Sequence, residues 1–174
     1  MSEGFEAMLT GGHPNSLGRT EEVVEIVLAN DTRFAELLDC YQSEDDVVRL
    51  RVSSALKRIE PTRRDLILDN LDRYVSLAVP LDQPSADWTL AQLFGRMEPD
   101  LSAAWKTKAL AILKRNLAEK DDWIVLNTTM ETLTDWAKGD AALADWLRPH
   151  LKRLAGDNRK SVAARARKSQ KLLD

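Results

Sequence analysis

Apolar residues recur along this chain at intervals of three and four, and nowhere do they alternate with polar ones over the length of a strand. Glu21 to Ala29 and Thr32 to Tyr41 are two short amphipathic segments, the second with Phe34, Leu37, Leu38 and Tyr41 on one side. Ser43 and the acids Glu44, Asp45 and Asp46 then open a helix whose inner stripe is Val48, Val52, Ala55, Leu56 and Ile59. Carboxylates suit that end, because they accept from unpaired backbone amides and oppose the positive end of the helix dipole. Pro61 is expected to stop this helix and Thr62 to cap the next, which carries Ile67, Leu71, Tyr74, Val75 and Ala78. Further helices are expected from Ser85 (Leu90, Leu93, Phe94, Met97), from Ser102 to Glu119 (Trp105, Ala109, Ile112, Leu113) and from Asp121 and Asp122 (Trp123, Leu126, Met130, Leu133, Ala137). Leu143, Trp146, Leu147, Leu151 and Leu154 make another stripe, in which Pro149 predicts a kink or a break, and Lys160 to Leu173 completes the series. The outcome is an all-α chain of eight or nine helices joined by short loops.

Internal similarity turns the series into an architecture. Four segments begin alike: Asp46-Val47-Val48-Arg49, Asp87-Trp88-Thr89-Leu90, Asp122-Trp123-Ile124-Val125 and Lys160-Ser161-Val162-Ala163, at intervals of 41, 35 and 38 residues. The run Asp45-Asp46-Val47-Val48-Arg49 followed by Val52-Ser53-Ser54-Ala55-Leu56, and again Ser161-Val162-Ala163-Ala164-Arg165-Ala166, resembles the HEAT (armadillo-like) repeat family over about residues 31 to 174. The chain is also similar to small bacterial HEAT-repeat proteins. That resemblance implies a right-handed α-α superhelix of about four helix pairs, and it implies no activity. Residues 1–20 are expected to form a flexible N-terminal arm, and 21–174 the repeat domain.

Stacked repeats set their second helices side by side along one surface, so equivalent positions form ladders. Under those intervals Arg51 aligns with Gln92, Asn127 and Arg165, and Val47 with Trp88, Trp123 and Ser161. Trp88 with Gln92, and Trp123 with Asn127, are then i, i+4 pairs of an aromatic plate and an amide, suited to a peptide segment or an unstacked base. The alternative reading packs both tryptophans between repeats, as large aromatics at helical spacing often are.

Charge is unevenly spread. The net charge is −3, yet residues 1–46 carry eleven acids against two bases, and residues 148–174 nine bases against two acids. Arg159, Lys160, Arg165, Arg167, Lys168 and Lys171 crowd the last helix as a basic patch, either a solvated terminal face or a phosphate-binding one. Such polarity also suits a second copy arranged head to tail.

Catalytic chemistry finds little support. HEAT-like DNA glycosylases set tryptophans beside a catalytic carboxylate, whereas Gln92 and Asn127 are neutral. Gly12-His13-Pro14-Asn15-Ser16-Leu17-Gly18-Arg19-Thr20 faintly resembles a phosphate loop but lacks its lysine and its preceding strand, and reads as an arm before a helix capped by Thr20. His13 and His150 have no ligand spacing, so no metal or cofactor is expected. Cys40, among Phe34, Leu37, Leu38 and Tyr41, reads as a buried thiol, which together with the absence of a long apolar run points to a cytoplasmic protein without a membrane partner. The function expected is a non-enzymatic scaffold that binds a protein or peptide, with nucleic acid on the basic patch as the alternative.

Overall fold

The computed structural model describes residues 1–174, and every regular element in it is helical. The ten helices are α1 (Phe5–Leu9), α2 (Thr20–Ala29), α3 (Phe34–Asp39), α4 (Asp46–Asp69), α5 (Leu71–Ala78), α6 (Pro84–Met97), α7 (Ala103–Glu119), α8 (Trp123–Ala137), α9 (Ala141–Ala155) and α10 (Lys160–Leu173). Single 3-10 turns at Asp31–Arg33, Cys40–Gln42, Val79–Leu81 and Glu98–Asp100 tighten the connections. The chain divides into two compact units, Met1–Thr89 and Leu90–Asp174, with the boundary inside α6.

Four helices, α4, α7, α8 and α9, have a side-chain cap at their start. Asp45 accepts from Val47 N at 2.9 Å, Ser102 from Trp105 N at 3.1 Å, Asp122 from Ile124 N and Val125 N, and Asp140 from Leu143 N at 3.0 Å. Each satisfies amides that the first turn leaves without an intrahelical partner. Thr20 does something else. It is the first residue of α2, buried, and its hydroxyl donates backwards to Leu17 O at 2.5 Å.

The break expected at Pro61 falls two residues later: the helix that starts at Asp46 and the one that ends at Asp69 meet at a kink where Arg63 is non-helical (φ −135°, ψ 59°). Arg63 is held at that kink by Asp65 at 2.7 Å and Asp31 at 3.3 Å. Pro149 neither breaks nor ends α9, which continues through it to Ala155.

The first unit is built around α4. Val48, Val52, Ala55, Leu56 and Ile59 are fully buried, as the spacing requires, together with Val23 and Val27 of α2 and Leu37 and Leu38 of α3. The rings of Tyr41 and Tyr74 stack at 6.0 Å, and the Tyr41 hydroxyl lies 2.7 Å from Ser53 Oγ. Cys40 is buried, its thiol donating to Glu36 O at 3.3 Å; burial first, then the charges of Glu6, Glu36 and Asp39, pushes its pKa up to about 12. A thiol so far from ionisation is a poor nucleophile at neutral pH.

Three residues of the N-terminal arm join this core. Phe5, Met8 and Leu9 of α1 are buried, Phe5 N donates to Glu36 Oε1 at 2.8 Å, and the Arg33 guanidinium lies 3.9 Å over the Phe5 ring. Between α1 and α2 the chain wraps around Arg51, whose side chain is 1% exposed. Its guanidinium donates to the carbonyls of Leu9 and Gly11, both at 2.6 Å, and of His13 and Ser16, both at 3.2 Å. Gly11, Gly12 and Gly18 have φ of +83°, +76° and +53°, the left-handed region in which glycine avoids strain. A phosphate loop turns its amides inward onto an anion; this loop turns its carbonyls inward onto a cation.

In the second unit α8 is the central helix and packs against α7, α9 and α10. It buries Leu126, Met130 and Leu133 together with Thr128, Thr129, Thr132 and Thr134. Thr132 donates its hydroxyl to Ala91 O at 2.8 Å, and Gly95 lets α6 approach it closely, since a Cβ there would sit 2.9 Å from Thr132 Oγ1.

The helices that resemble one another start at Asp46, Pro84, Trp123 and Lys160, intervals of 38, 39 and 37 residues. This spacing is more even than the 41, 35 and 38 of the sequence alignment. Pro84, suited to a first helical turn because it has no amide hydrogen to leave unpaired, sets the start of α6 three residues before Asp87. In this register three rows are buried in all four helices: Val48, Ala86, Val125 and Val162; Val52, Leu90, Thr129 and Ala166; Ala55, Leu93, Thr132 and Ser169.

Candidate functional site

Counted from the helix starts, Arg51 corresponds to Thr89, Thr128 and Arg165, Trp88 to Asn127, and Trp123 to Pro84. Trp88 and Trp123 thus hold different positions within their helices. Trp88 is half-buried within the first unit, and Trp123 is 50% exposed in the second. Arg51, read as a groove residue, is closed off from solvent by the loop it organises.

Gln92 keeps a place in a cleft. In the second unit the surface between α6 and α8 is hollowed twice, by clefts of about 650 Å³ and 370 Å³. Gly95, Arg96 and Asp135 line both, so they adjoin. The smaller holds Gln92, Thr128 and Glu131; the larger adds Lys106 and Leu110 of α7, Trp136 of α8 and the Gly139 to Leu143 turn into α9. Because α6 crosses α8 at a glycine, the helices meet closely there and leave room on either side of the crossing.

Charge around the two clefts is predominantly negative, with Glu98, Glu131, Asp135 and Asp140 against Arg96 and Lys106. Lys106 pairs with Glu98 and lies 5.6 Å over the Trp136 ring. Asp135 is exposed and pairs with Lys138 at 2.7 Å, and Glu131 meets Arg165 of α10 at 3.6 Å. Exposed pairs such as these are individually weak and open readily to a competing charge.

Several buried polar atoms here have no partner. Gln92 Oε1 and Trp136 Nε1 are two of them, in residues that line the clefts; Asn127 Oδ1, Thr129 Oγ1 and Thr134 Oγ1 lie elsewhere on α8. A buried donor or acceptor without a partner costs about 1–3 kcal/mol.

No family model, curated protein or solved structure matches the chain. Local geometry is therefore the guide to its chemistry. No group of three or more His, Cys, Asp or Glu is arranged to hold a metal ion, and no helix is long and apolar enough to cross a membrane. His13 is exposed and its Nδ1 accepts from Asn15 N at 3.1 Å. The His150 ring lies 4.3 Å from that of Trp146, tilted by 33°, and desolvation and the nearby Arg153 lower its pKa.

The basic residues of α10 fall into two groups. Arg159 is fully engaged: it pairs with Asp157 at 2.8 Å and Asp121 at 2.9 Å and donates to Asp121 O, tying the start of α10 to the start of α8. Lys160, Lys168 and Lys171 are exposed, and Arg167 donates to Ala155 O at 3.0 Å. The Arg159 bonds hold the Asp157 pKa down to about 2. A depressed carboxylate stabilises the fold above its unfolded pKa of about 4 and loses that contribution as the pH falls through about 2. Asp157→Asn is thus expected to melt below wild type at pH 7, with the two melting curves converging by about pH 2, as followed by circular dichroism.

Sequence reasoning overlooked Gly95, Arg96, Glu131, Asp135 and Trp136. The available signal was Pro84. Reading it as the first helical residue places Trp136 level with Met97 and Ile59, and Glu131 and Asp135 one turn apart on the outer side of α8.

Proposed function

We propose that this chain is a HEAT-like α-α solenoid of about four helix pairs, acting as a non-enzymatic protein-interaction scaffold in a reducing, cytoplasmic setting. Support for the repeat reading comes from the intervals of 38, 39 and 37 residues and the three rows buried in all four similar helices. Cys40, buried and unpaired, suits a reducing compartment.

The observation that carries the binding role is the pair of adjoining acidic clefts between α6 and α8, with an exposed carboxylate, Asp135, on the lip of both. Leu110, Trp136 and Leu143 give the larger cleft an apolar wall. The partner that fits is a peptide segment with one apolar or aromatic anchor flanked by lysine or arginine. Displaying a random peptide library against the protein tests this. Selected peptides are expected to be basic around a hydrophobic residue and to lose at least tenfold in affinity against Asp135→Lys. Peptides without basic residues, or binding indifferent to Asp135→Lys, refute the assignment.

A further inference from the structure

A second cleft in the same unit has the opposite charge. It lies between α9 and α10, encloses about 510 Å³ and is lined by Arg148, Lys152, Arg167, Gln170, Lys171, Leu173 and Asp174. Four of the seven are cations and one is a carboxylate. The helices run antiparallel along it: Arg148 Nη2 donates to Leu173 O at 3.0 Å, and Arg167 Nη2 to Ala155 O at 3.0 Å. The cations therefore form a stripe, with Arg148 at one end, Lys152 and Lys171 in the middle, and Arg167 at the other.

Arg148 and Lys152 are an i, i+4 pair on α9, as Arg167 and Lys171 are on α10, so both helices turn positive side chains to one channel. Arg148 is partly neutralised by Asp145 at 2.6 Å. Lys152 and Lys171, by contrast, have no anionic partner and are exposed. Four cations beside one lining carboxylate, Asp174, leave the cleft with net positive charge, which favours an anion within it.

We infer that this channel binds the phosphodiester backbone of a single-stranded nucleic acid. From Arg148 to the level of Ala155 is seven residues, or about 10 Å of helix. A stacked strand carries one charge about every 3.4 Å, so the stripe meets about three phosphates with its three levels of cations. The lining contains no aromatic side chain to stack a base, so recognition is of backbone charge and is indifferent to sequence. This site is separate from the α6–α8 clefts and does not rest on the scaffold reading.

The test is fluorescence anisotropy of a labelled 15-nucleotide oligothymidylate titrated with the full chain at several salt concentrations. Three phosphate contacts give a log–log salt slope of about −2, equivalent to about a twentyfold loss of affinity between 50 and 200 mM salt. Lys152→Ala/Lys171→Ala is expected to weaken binding at least tenfold at 50 mM salt and to bring the slope to about −1. Lys160→Ala/Lys168→Ala removes two exposed cations outside the channel and is expected to change binding less than threefold. Circular dichroism shows that each variant is folded. No binding at 50 mM salt, equal losses in the two double variants, or tighter binding to phosphatidylinositol-phosphate vesicles than to the oligonucleotide overturns the inference.

Discussion

Replacing Arg51 by methionine is expected to lower the stability of the protein by about 3–5 kcal/mol and its melting temperature by about 6–20 °C. Methionine fills much of the same volume, so the loss comes from polarity. Arg51 donates to the carbonyls of Leu9, Gly11, His13 and Ser16, and without it the buried Leu9 carbonyl faces an apolar side chain while the other three, on exposed residues, lose the charged donor that gathers them. Bonds to a charged donor contribute about 1.5–3 kcal/mol each when they stand alone, and four sharing one guanidinium contribute less than their sum. Arg51→Lys is expected to fall between the two, because one ammonium with three donors cannot reproduce a planar fork serving four acceptors. Gly18 belongs to the same device, since a Cβ there would lie 2.9 Å from Arg51 Cζ at a φ of +53°. The disturbance should begin locally. In Arg51→Met, limited proteolysis is expected to cut first within residues 10–19, whereas wild type resists there. A variant as stable as wild type, with that loop still protected, would show that the carbonyl cage is incidental.

The second large effect is expected at Gly95. Glycine inside a helix ordinarily costs about 1 kcal/mol relative to alanine, so propensity alone predicts that Gly95→Ala stabilises α6. Packing predicts the reverse. The added Cβ would meet Thr132 Oγ1 at 2.9 Å and Cγ2 at 3.4 Å, and Thr132 cannot swing away without losing its bond to Ala91 O. Overpacking of this kind costs about 1–3 kcal/mol, which equals or exceeds the propensity gain. Gly95→Val adds branching to the clash and is expected to lose about 3 kcal/mol, or about 6–12 °C in melting temperature. The cause can be isolated with a double-mutant cycle. Placing Gly95→Ala in a Thr132→Ala background removes the obstruction, and alanine at 95 should then be neutral or stabilising. If it remains destabilising there, the close crossing of α6 and α8 is not its cause.

Much of the helical framework is legible in the sequence. Asp45, Ser102 and Asp122 announced helix starts by residue type, and the stripes from Val48 to Ile59 and from Leu126 to Leu133 are buried as their spacing required. What escaped had no local signal. α1 is five residues long, too short to be stable by propensity, and forms because Phe5, Met8 and Leu9 find a surface on distant helices. Arg51 looked like a surface cation because arginine usually is one, and its partners are backbone atoms about 35 to 42 residues away that no side-chain pattern encodes. Pro84 did carry a signal. Taking Asp87 as the start shifts the register of α6 by three residues, nearly a full turn, and points to the tryptophans instead of the Gly95–Thr132 crossing.

The charged clefts divide similarly. The excess of bases in residues 148–174 was plain, and the sequence reading assigned it to α10 alone. The structure ties up Arg159 in ion pairs and sets Arg167 and Lys171 against Arg148 and Lys152 of α9. Composition reports how many cations a segment carries; only packing reports which of them face one another.

The α6–α8 face is where a partner is expected to bind. Backbone amide chemical-shift mapping of the isotope-labelled protein, titrated with a peptide selected against it, addresses this most directly. Shifts concentrated at Gln92, Gly95, Arg96, Thr128, Glu131 and Asp135, with α1 to α3 unmoved, are the predicted result. Shifts concentrated on α1 to α3, or along α9 and α10 with the Gly95 region unmoved, would contradict it.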